Sequence, residues 1–212
     1  MTSTASGELK AWHKTTVDFK AASTFREEAL TFRDFRLDVT FVNAETGRKI
    51  TVPGYFAADG DAADSGATSG SIWRVHFTPP EEGRWSFEAH FRTGEDIAAE
   101  PYADAPYAGR AVTSIDGETG TFVVAETDKT GEDFRAKGMI LQGEGTHYLQ
   151  HQGDGDYFIR GGPGIPENFL AYPDFDGTAN GRFDFSTHSG DFNWGDPTWK
   201  GGRTSSRSIP SR

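Results

Sequence analysis

Apolar and polar residues alternate in two neighbouring stretches near the middle of the chain, residues 72–77 and 84–91. Every second position in each stretch carries a bulky apolar side chain, which is the period of a half-buried β-strand. Between them, Pro79 and Pro80 cannot donate to a sheet ladder, and Gly83 tolerates a positive φ. The pattern predicts a β-hairpin whose apolar face requires a second layer of structure.

Three further strands and one hairpin partner follow from the same reasoning. The strands are predicted over residues 12–20, 35–41 and 121–124, and the partner of the second over residues 48–52. Residues 21–31 are a polar stretch. Residues 93–120 have almost no periodicity, so we expect a long surface excursion there. Trp73 and Trp85 are in phase with Val75 and Phe87, which favours core positions over ligand-binding ones.

The pattern of apolar and polar residues changes after the hydrophilic residues 125–131, where we place a domain boundary. Short apolar runs at 138–141, 146–149 and 156–159 are separated by glycine-rich turns, and they predict a small hairpin that leads into a buried strand. Residues 201–212 are basic and of low complexity, as is typical of a disordered tail. The predicted domains are therefore residues 8–124, 125–200 and 201–212.

Composition narrows the choice of fold and partner. With 26 glycines and 17 phenylalanines in 212 residues, the chain is expected to be mainly β. The net charge of −11 disfavours nucleic acid, because phosphates would be repelled. There is no cysteine for a disulfide, no apolar run long enough to span a membrane, and no signal-peptide pattern at residues 1–8.

Several motifs occur in an order that resembles a known arrangement. They are Val-Pro-Gly-Tyr-Phe at 52–56, Trp-Arg-Val-His-Phe at 73–77, Pro-Glu-Glu-Gly-Arg-Trp at 80–85, Tyr-Phe-Ile-Arg-Gly-Gly at 157–162, Pro-Glu-Asn-Phe-Leu-Ala-Tyr at 166–172 and Asp-Phe-Asp-Gly-Thr at 174–178. Over about residues 9–200 the chain resembles the N-terminal β-sandwich, a domain of unknown function, that precedes the (β/α)8 barrel, or TIM barrel, of predicted bacterial glycoside hydrolases.

The resemblance implies an immunoglobulin-like β-sandwich over residues 8–124, with the first barrel strand at 157–162. Residues 125–200 would then be the incomplete start of a glycosidase-type TIM barrel, from a truncated or frame-shifted gene. A barrel with one strand cannot close, so we expect this chain alone to be catalytically inactive. The resemblance also suggests a secreted or periplasmic protein if the N-terminus is incomplete.

The predicted substrate-binding residues are polar or aromatic side chains near predicted loops. They are Glu167, Asn168, Tyr172, Asp174, Asp176 and Tyr55. The resemblance puts the first two on the loop after the first barrel strand, where they would hold sugar hydroxyls; alternatively, Glu167 braces that loop. Tyr55 can stack on a sugar ring, since flat aromatic rings cover apolar sugar faces at low entropy cost.

No catalytic residue, metal ligand or cofactor is assigned. Asp174 and Asp176 begin like a calcium loop, but Phe185 stands where that loop requires a glutamate. His147 and His151 would share a face only on a helix, and their segment is predicted to be strand and turn. No nucleophile elbow, phosphate loop or dinucleotide motif is present.

These observations favour an accessory N-terminal region of a polysaccharide-degrading glycoside hydrolase. In this role the sandwich supports a catalytic barrel and contacts carbohydrate, an oligo- or polysaccharide, without itself being catalytic. Two alternatives stay open: a free-standing carbohydrate-binding module, and a structural or protein-interaction β-sandwich. Loss of glycan binding on replacement of loop aromatics such as Tyr55 would separate a binding module from a structural domain.

Overall fold

A computed structural model describes residues 3–100 and 108–159 of the chain. The chain divides into two compact units, of which the first comprises residues 1–60 and 69–160. The second includes Asp61–Thr68, which contains the short helix α2 (Ala62–Ser65). The predicted tail and most of the predicted barrel start lie outside the described residues, and the predicted boundary at 125–131 stays a prediction.

The described residues are mainly in antiparallel β-strands. The strands are β1 (Ala5–Gly7), β2 (Thr15–Arg26), β3 (Phe35–Asn43), β4 (Lys49–Pro53), β5 (Tyr55–Phe56), β6 (Ser69–Phe77), β7 (Gly83–Thr93), β8 (Arg110–Ala111), β9 (Thr119–Val124), β10 (Ile140–Gln142) and β11 (Leu149–His151). The remaining helices are α1 (Ala29–Asp34), α3 (Phe134–Lys137) and a 3-10 turn at Ile97–Ala99. In the part of the chain that the structure describes, no helix is long and apolar enough to cross a membrane.

Two sheets contain most of the strands of the first unit. One has the order β1-β2-β6-β5. The other has the order β4-β3-β7, with β8 and β9 both paired to β7, β8 at residues 92–93 and β9 at residues 83–88. The strand at 35–41 and its hairpin partner at 48–52 are confirmed as β3 and β4.

The central pair of strands, β6 and β7, is not a hairpin, and that prediction was wrong. β6 bonds to β2 and β5, whereas β7 bonds to β3, β8 and β9. The reversal at residues 78–82 therefore carries the chain from one sheet to the other. The alternation nevertheless predicted the buried faces correctly. The apolar side chains of β6 and β7 point into the core from opposite sheets.

Aromatic rings from opposite sheets meet in the core between them. Phe77 of β6 stacks on Phe41 of β3 with ring centroids 4.0 Å apart, and it meets Trp85 edge to face at 5.1 Å. Trp73 of β6 lies 4.6 Å from Phe91 of β7. Such contacts hold two sheets face to face, as in a β-sandwich, and they confirm the core positions predicted for Trp73 and Trp85.

Two stretches that lacked a clear pattern contain ordered structure. The polar residues after position 20 continue β2 to Arg26, because an irregularity in the pairing between Lys20 and Phe25 lets the strand rejoin β6 and bury the Phe25 ring. The predicted surface excursion at 93–120 buries Ile97 and Ile115. Phe25 follows three exposed residues, and Ile97 and Ile115 are isolated apolar residues, so a search for alternation overlooks all three.

The hairpin predicted in the second part of the sequence is present as β10 and β11, which pair with each other. The buried strand predicted at 156–159 was wrong, because this run forms only a single bridge, between Gln150 and Tyr157, and both Tyr157 and Ile159 are exposed. The large apolar side chains of this segment are exposed, namely those of Phe134, Met139, Ile140, Leu141, Tyr148, Leu149, Tyr157 and Ile159. A two-stranded sheet has no second layer under which such residues could be buried.

Candidate functional site

A groove with a volume of about 340 Å³ opens at the side of the sandwich where β5 lies. It is lined by Thr31, Phe32, Phe35, Arg36, Leu37, Pro53, Gly54, Tyr55, Phe56, Trp73, Ala98 and Glu100. Two of the lining aromatic residues are largely open to solvent: Phe32 is 56% exposed and Tyr55 is 44% exposed. Exposed rings beside a concave, mostly apolar surface are the usual features of a small-molecule or sugar site.

The chain crosses between the sheets at Gly54, and this crossing places Tyr55 at the groove. Its amide donates a 2.8 Å hydrogen bond to the Leu37 carbonyl, and a Cβ at this position would overlap the Leu37 side chain. Only glycine therefore permits the backbone to pass so close to β3. Immediately afterwards, Phe56 is buried in the core while Tyr55 stays exposed, as alternation along a strand requires.

Polar groups at the groove supply both a donor and an acceptor. The Arg36 guanidinium donates to the Asp38 carboxylate at 2.7 Å and to the Glu100 carbonyl at 2.9 Å, which fixes its position at the wall. Glu100 lines the same groove. Trp73 is 3% exposed, and its indole N–H has no acceptor among the described residues. A cationic residue and an anionic residue that line one groove suit the hydroxyl groups of a neutral ligand.

A chain of polar side chains extends from Tyr55 across the outer face of the first sheet. The Tyr55 hydroxyl lies 3.0 Å from His76 Nε2, and His76 Nδ1 lies 3.0 Å from Thr16 Oγ1. On the same face Arg74 forms a two-point ion pair with Asp18, at 2.6 and 2.7 Å, and interacts electrostatically with Tyr55. We call these five residues the Tyr55 network.

The charges of this face act on the two basic members of the Tyr55 network. Partial burial lowers the pKa of His76 from its ordinary value, and the nearby charges of Lys14 and Arg74 lower it further. The carboxylate of Asp18 raises the pKa of Arg74, with a smaller contribution from the Tyr55 hydroxyl. His76 is therefore neutral at pH 7, while Arg74 is always charged.

Another titratable cluster joins the start of the first unit to residues 127–135. Oxygen and nitrogen atoms of Glu8, His13 and Asp128 lie within 4.8 Å of one another, a spacing that a metal ion could bridge. Lys129 nevertheless contacts both carboxylates, at 3.3 and 3.0 Å, and its hydrogen bond is the main cause of the lowered pKa of Glu8. Arg135 lies 3.1 Å from Glu8 as well. These cations supply the positive charge that a metal would bring, so the cluster is best described as an ion-pair network.

Of the six predicted substrate-binding residues, the structure describes one. Tyr55 is exposed at the groove, where an aromatic binder is expected. The other five lie outside the described residues and stay predictions: Glu167, Asn168, Tyr172, Asp174 and Asp176.

The sequence reasoning missed Phe32, Arg36 and His76. His76 could have been suspected from its outward position in the alternation of β6, but its proximity to Tyr55 depends on the pairing of β5 with β6. Phe32 lies on α1, beside a stretch predicted to be merely polar.

Comparison with known proteins found a family model that matches part of the chain. It is described as a domain of unknown function, DUF5060, and it matches residues 8–92, which include β2 to β6, most of β7 and the Tyr55 network. The chain is also similar to the crystal structure of a protein named a "putative glycoside hydrolase" from Bacteroides vulgatus, with 23% sequence identity and a TM-score of 0.43. That similarity covers 70% of this chain and 20% of the solved chain. None of the curated proteins matches this chain.

Proposed function

We propose that this chain is the accessory N-terminal region of a polysaccharide-degrading glycoside hydrolase, that its sandwich is immunoglobulin-like, and that it contacts carbohydrate at the groove beside Tyr55. The observation that carries the carbohydrate contact is the pair of exposed rings, Phe32 and Tyr55, at a groove that also presents Arg36 and Glu100. Rings stack on the apolar faces of a sugar, while the charged groups exchange hydrogen bonds with its hydroxyls.

The same proposal assigns a supporting role to the exposed apolar residues of the β10–β11 hairpin. Leu141 and Leu149 are about half exposed, and Tyr148 is 70% exposed. The strand register places Leu141 and Leu149 on opposite faces of the hairpin, and exposed apolar side chains on both faces of one small element favour burial against another domain. A catalytic barrel that follows in the complete enzyme is the partner we propose for this surface, with Glu167, Asn168, Tyr172, Asp174 and Asp176 as substrate contacts on its first loops.

Affinity electrophoresis of the 212-residue chain through gels that contain individual polysaccharides, both neutral and acidic, tests the carbohydrate contact. We expect at least one neutral polysaccharide to retard the protein, with the affinity then measured by calorimetry. Tyr55→Ala should raise Kd about tenfold or more, equivalent to about 1.4 kcal/mol, because the ring contributes a stacking surface. Tyr148→Ala is the matched control, since it removes a tyrosine that is even more accessible from another part of the chain.

Two results would contradict the proposal. A folded protein that migrates unchanged in every gel would exclude carbohydrate contact and favour the structural or protein-interaction sandwich. Retardation that survives both Tyr55→Ala and Phe32→Ala would move the binding surface away from this groove. In parallel, we expect no release of reducing sugar by the chain alone; release that persists in Tyr55→Ala would show that the polypeptide is itself an enzyme.

A further inference from the structure

The Tyr55 network contains enough donors and acceptors to determine the direction of each hydrogen bond. A phenolic hydroxyl is a stronger acid than an aliphatic one, so of the two hydroxyls that contact His76, that of Tyr55 is the better donor and that of Thr16 the better acceptor. The Tyr55 hydroxyl therefore donates to His76 Nε2, 3.0 Å away. A neutral imidazole with Nε2 as acceptor carries its proton on Nδ1, which donates to Thr16 Oγ1.

We propose that His76 is a positioning residue, neutral and protonated on Nδ1, that holds the Tyr55 ring in place as a binding surface and releases it when Nε2 is protonated. This inference rests on the proposed function of the groove. Its basis is that three strands meet in one continuous set of hydrogen bonds: β2 through Thr16, β6 through His76 and β5 through Tyr55. β5 has only two residues, so its own ladder contributes little to holding the ring.

Protonation of Nε2 acts directly on this arrangement. An imidazolium has donors on both nitrogens, so it cannot accept the tyrosine proton. The new charge would also face Arg74 on its own strand and Lys14, which immediately precedes β2. Asp18 on β2 is the carboxylate on this side, and both of its oxygens already pair with Arg74. The closed network and a charged His76 are therefore mutually unfavourable.

The sign of the pH dependence follows from the lowered pKa of His76. The unfolded chain takes up this proton near the ordinary histidine value of about 6.5, and the folded chain takes it up only at lower pH. The stability that the network contributes is therefore fully present above that value and is lost as the pH falls towards the folded pKa of His76. Binding at the Tyr55 ring should weaken over the same range.

Nuclear magnetic resonance of the 15N-histidine-labelled full chain tests the assignment without any ligand. We expect the neutral His76 to show a protonated Nδ1 and an unprotonated Nε2, with a pKa below 6.5. Thr16→Val should shift the ring towards the other tautomer, because it removes the acceptor of the Nδ1 proton. Lys14→Gln should raise the pKa, whereas Lys20→Gln, on β2 opposite Ile72, is the control that should leave it unchanged. A proton on Nε2 in the wild type, or a pKa at or above 6.5, overturns the proposal.

A second experiment measures binding of the neutral polysaccharide that retards the wild-type chain most strongly. Since only the neutral form of His76 is competent, the apparent Kd should rise about tenfold for each pH unit below the His76 pKa. In His76→Gln this pH dependence should disappear, and Tyr148→Ala should keep the wild-type profile. A flat wild-type profile contradicts the role of His76 while the proposed function stands. If no polysaccharide binds, the proposed function fails, and the magnetic resonance result decides the assignment of His76 by itself.

Discussion

The face-to-face packing of the two sheets can be measured through the stacked pair Phe41 and Phe77. Their ring centroids are 4.0 Å apart with planes 8° from parallel, and the two strands that carry them share no backbone hydrogen bonds. Phe→Leu keeps most of the buried volume, so each single substitution should cost roughly 1–2 kcal/mol of unfolding free energy. The stack itself should appear as a coupling energy of about 0.5–1.5 kcal/mol.

A double-mutant cycle isolates that coupling. The free energies of unfolding of the wild type, Phe41→Leu, Phe77→Leu and the double variant are obtained from urea titrations followed by tryptophan fluorescence. Phe25→Leu provides the control cycle with Phe41→Leu, because the Phe25 ring meets Trp73 and Phe91 instead, at 5.4 and 6.1 Å. Non-contacting sites should be additive within about 0.5 kcal/mol. Equal coupling in the two cycles would refute the packing described for the sheets.

Two further predictions concern a close backbone approach and an ion pair. Gly70→Ala should cost about 1–3 kcal/mol in urea unfolding, because its Cβ would overlap the Ala58 carbonyl, whereas Gly94→Ala, with its nearest neighbour at 3.7 Å, should change stability by less than about 0.5 kcal/mol. Asp133 has its pKa lowered to about 2, chiefly by Arg135. Arg135→Gln should therefore return that pKa towards 3.8 and remove the part of the stability loss between about pH 4 and pH 2 that Asp133 causes; an unchanged titration of Asp133 would contradict the pairing.

Hydrophobic alternation was sufficient to identify most strands and their buried faces. The strand at 35–41, its partner, and the inward positions of Trp73 and Trp85 all followed from a period of two. That period reflects backbone geometry, which places successive side chains on opposite faces whatever lies beside the strand. The exposure of Tyr55 followed from similar reasoning, since it adjoins a predicted loop.

Pairing partners could not be read in the same way. β6 and β7 are separated by five residues and look like a hairpin, yet each hydrogen-bonds to strands distant in sequence. Periodicity indicates which face of a strand is apolar, but it does not indicate which strands pair with it. Pairing uses main-chain groups, which are nearly identical in every residue. The position of His76 beside Tyr55 depends on this pairing, so the Tyr55 network could not be predicted from the sequence pattern.

The amino-acid sequence alone determined that this is a mainly β protein, where most of its strands run, and which large rings belong to the core. Only the tertiary structure decided that the central strands lie in opposite sheets, that Gly54 brings Tyr55 to a groove at the side of the sandwich, and that Thr16, His76, Tyr55, Arg74 and Asp18 form one network. The physical reason is the sequence separation of the contacts involved. Burial of a side chain depends on its own chemistry and on its neighbours along the chain, whereas a site requires contacts between segments that only the fold brings together.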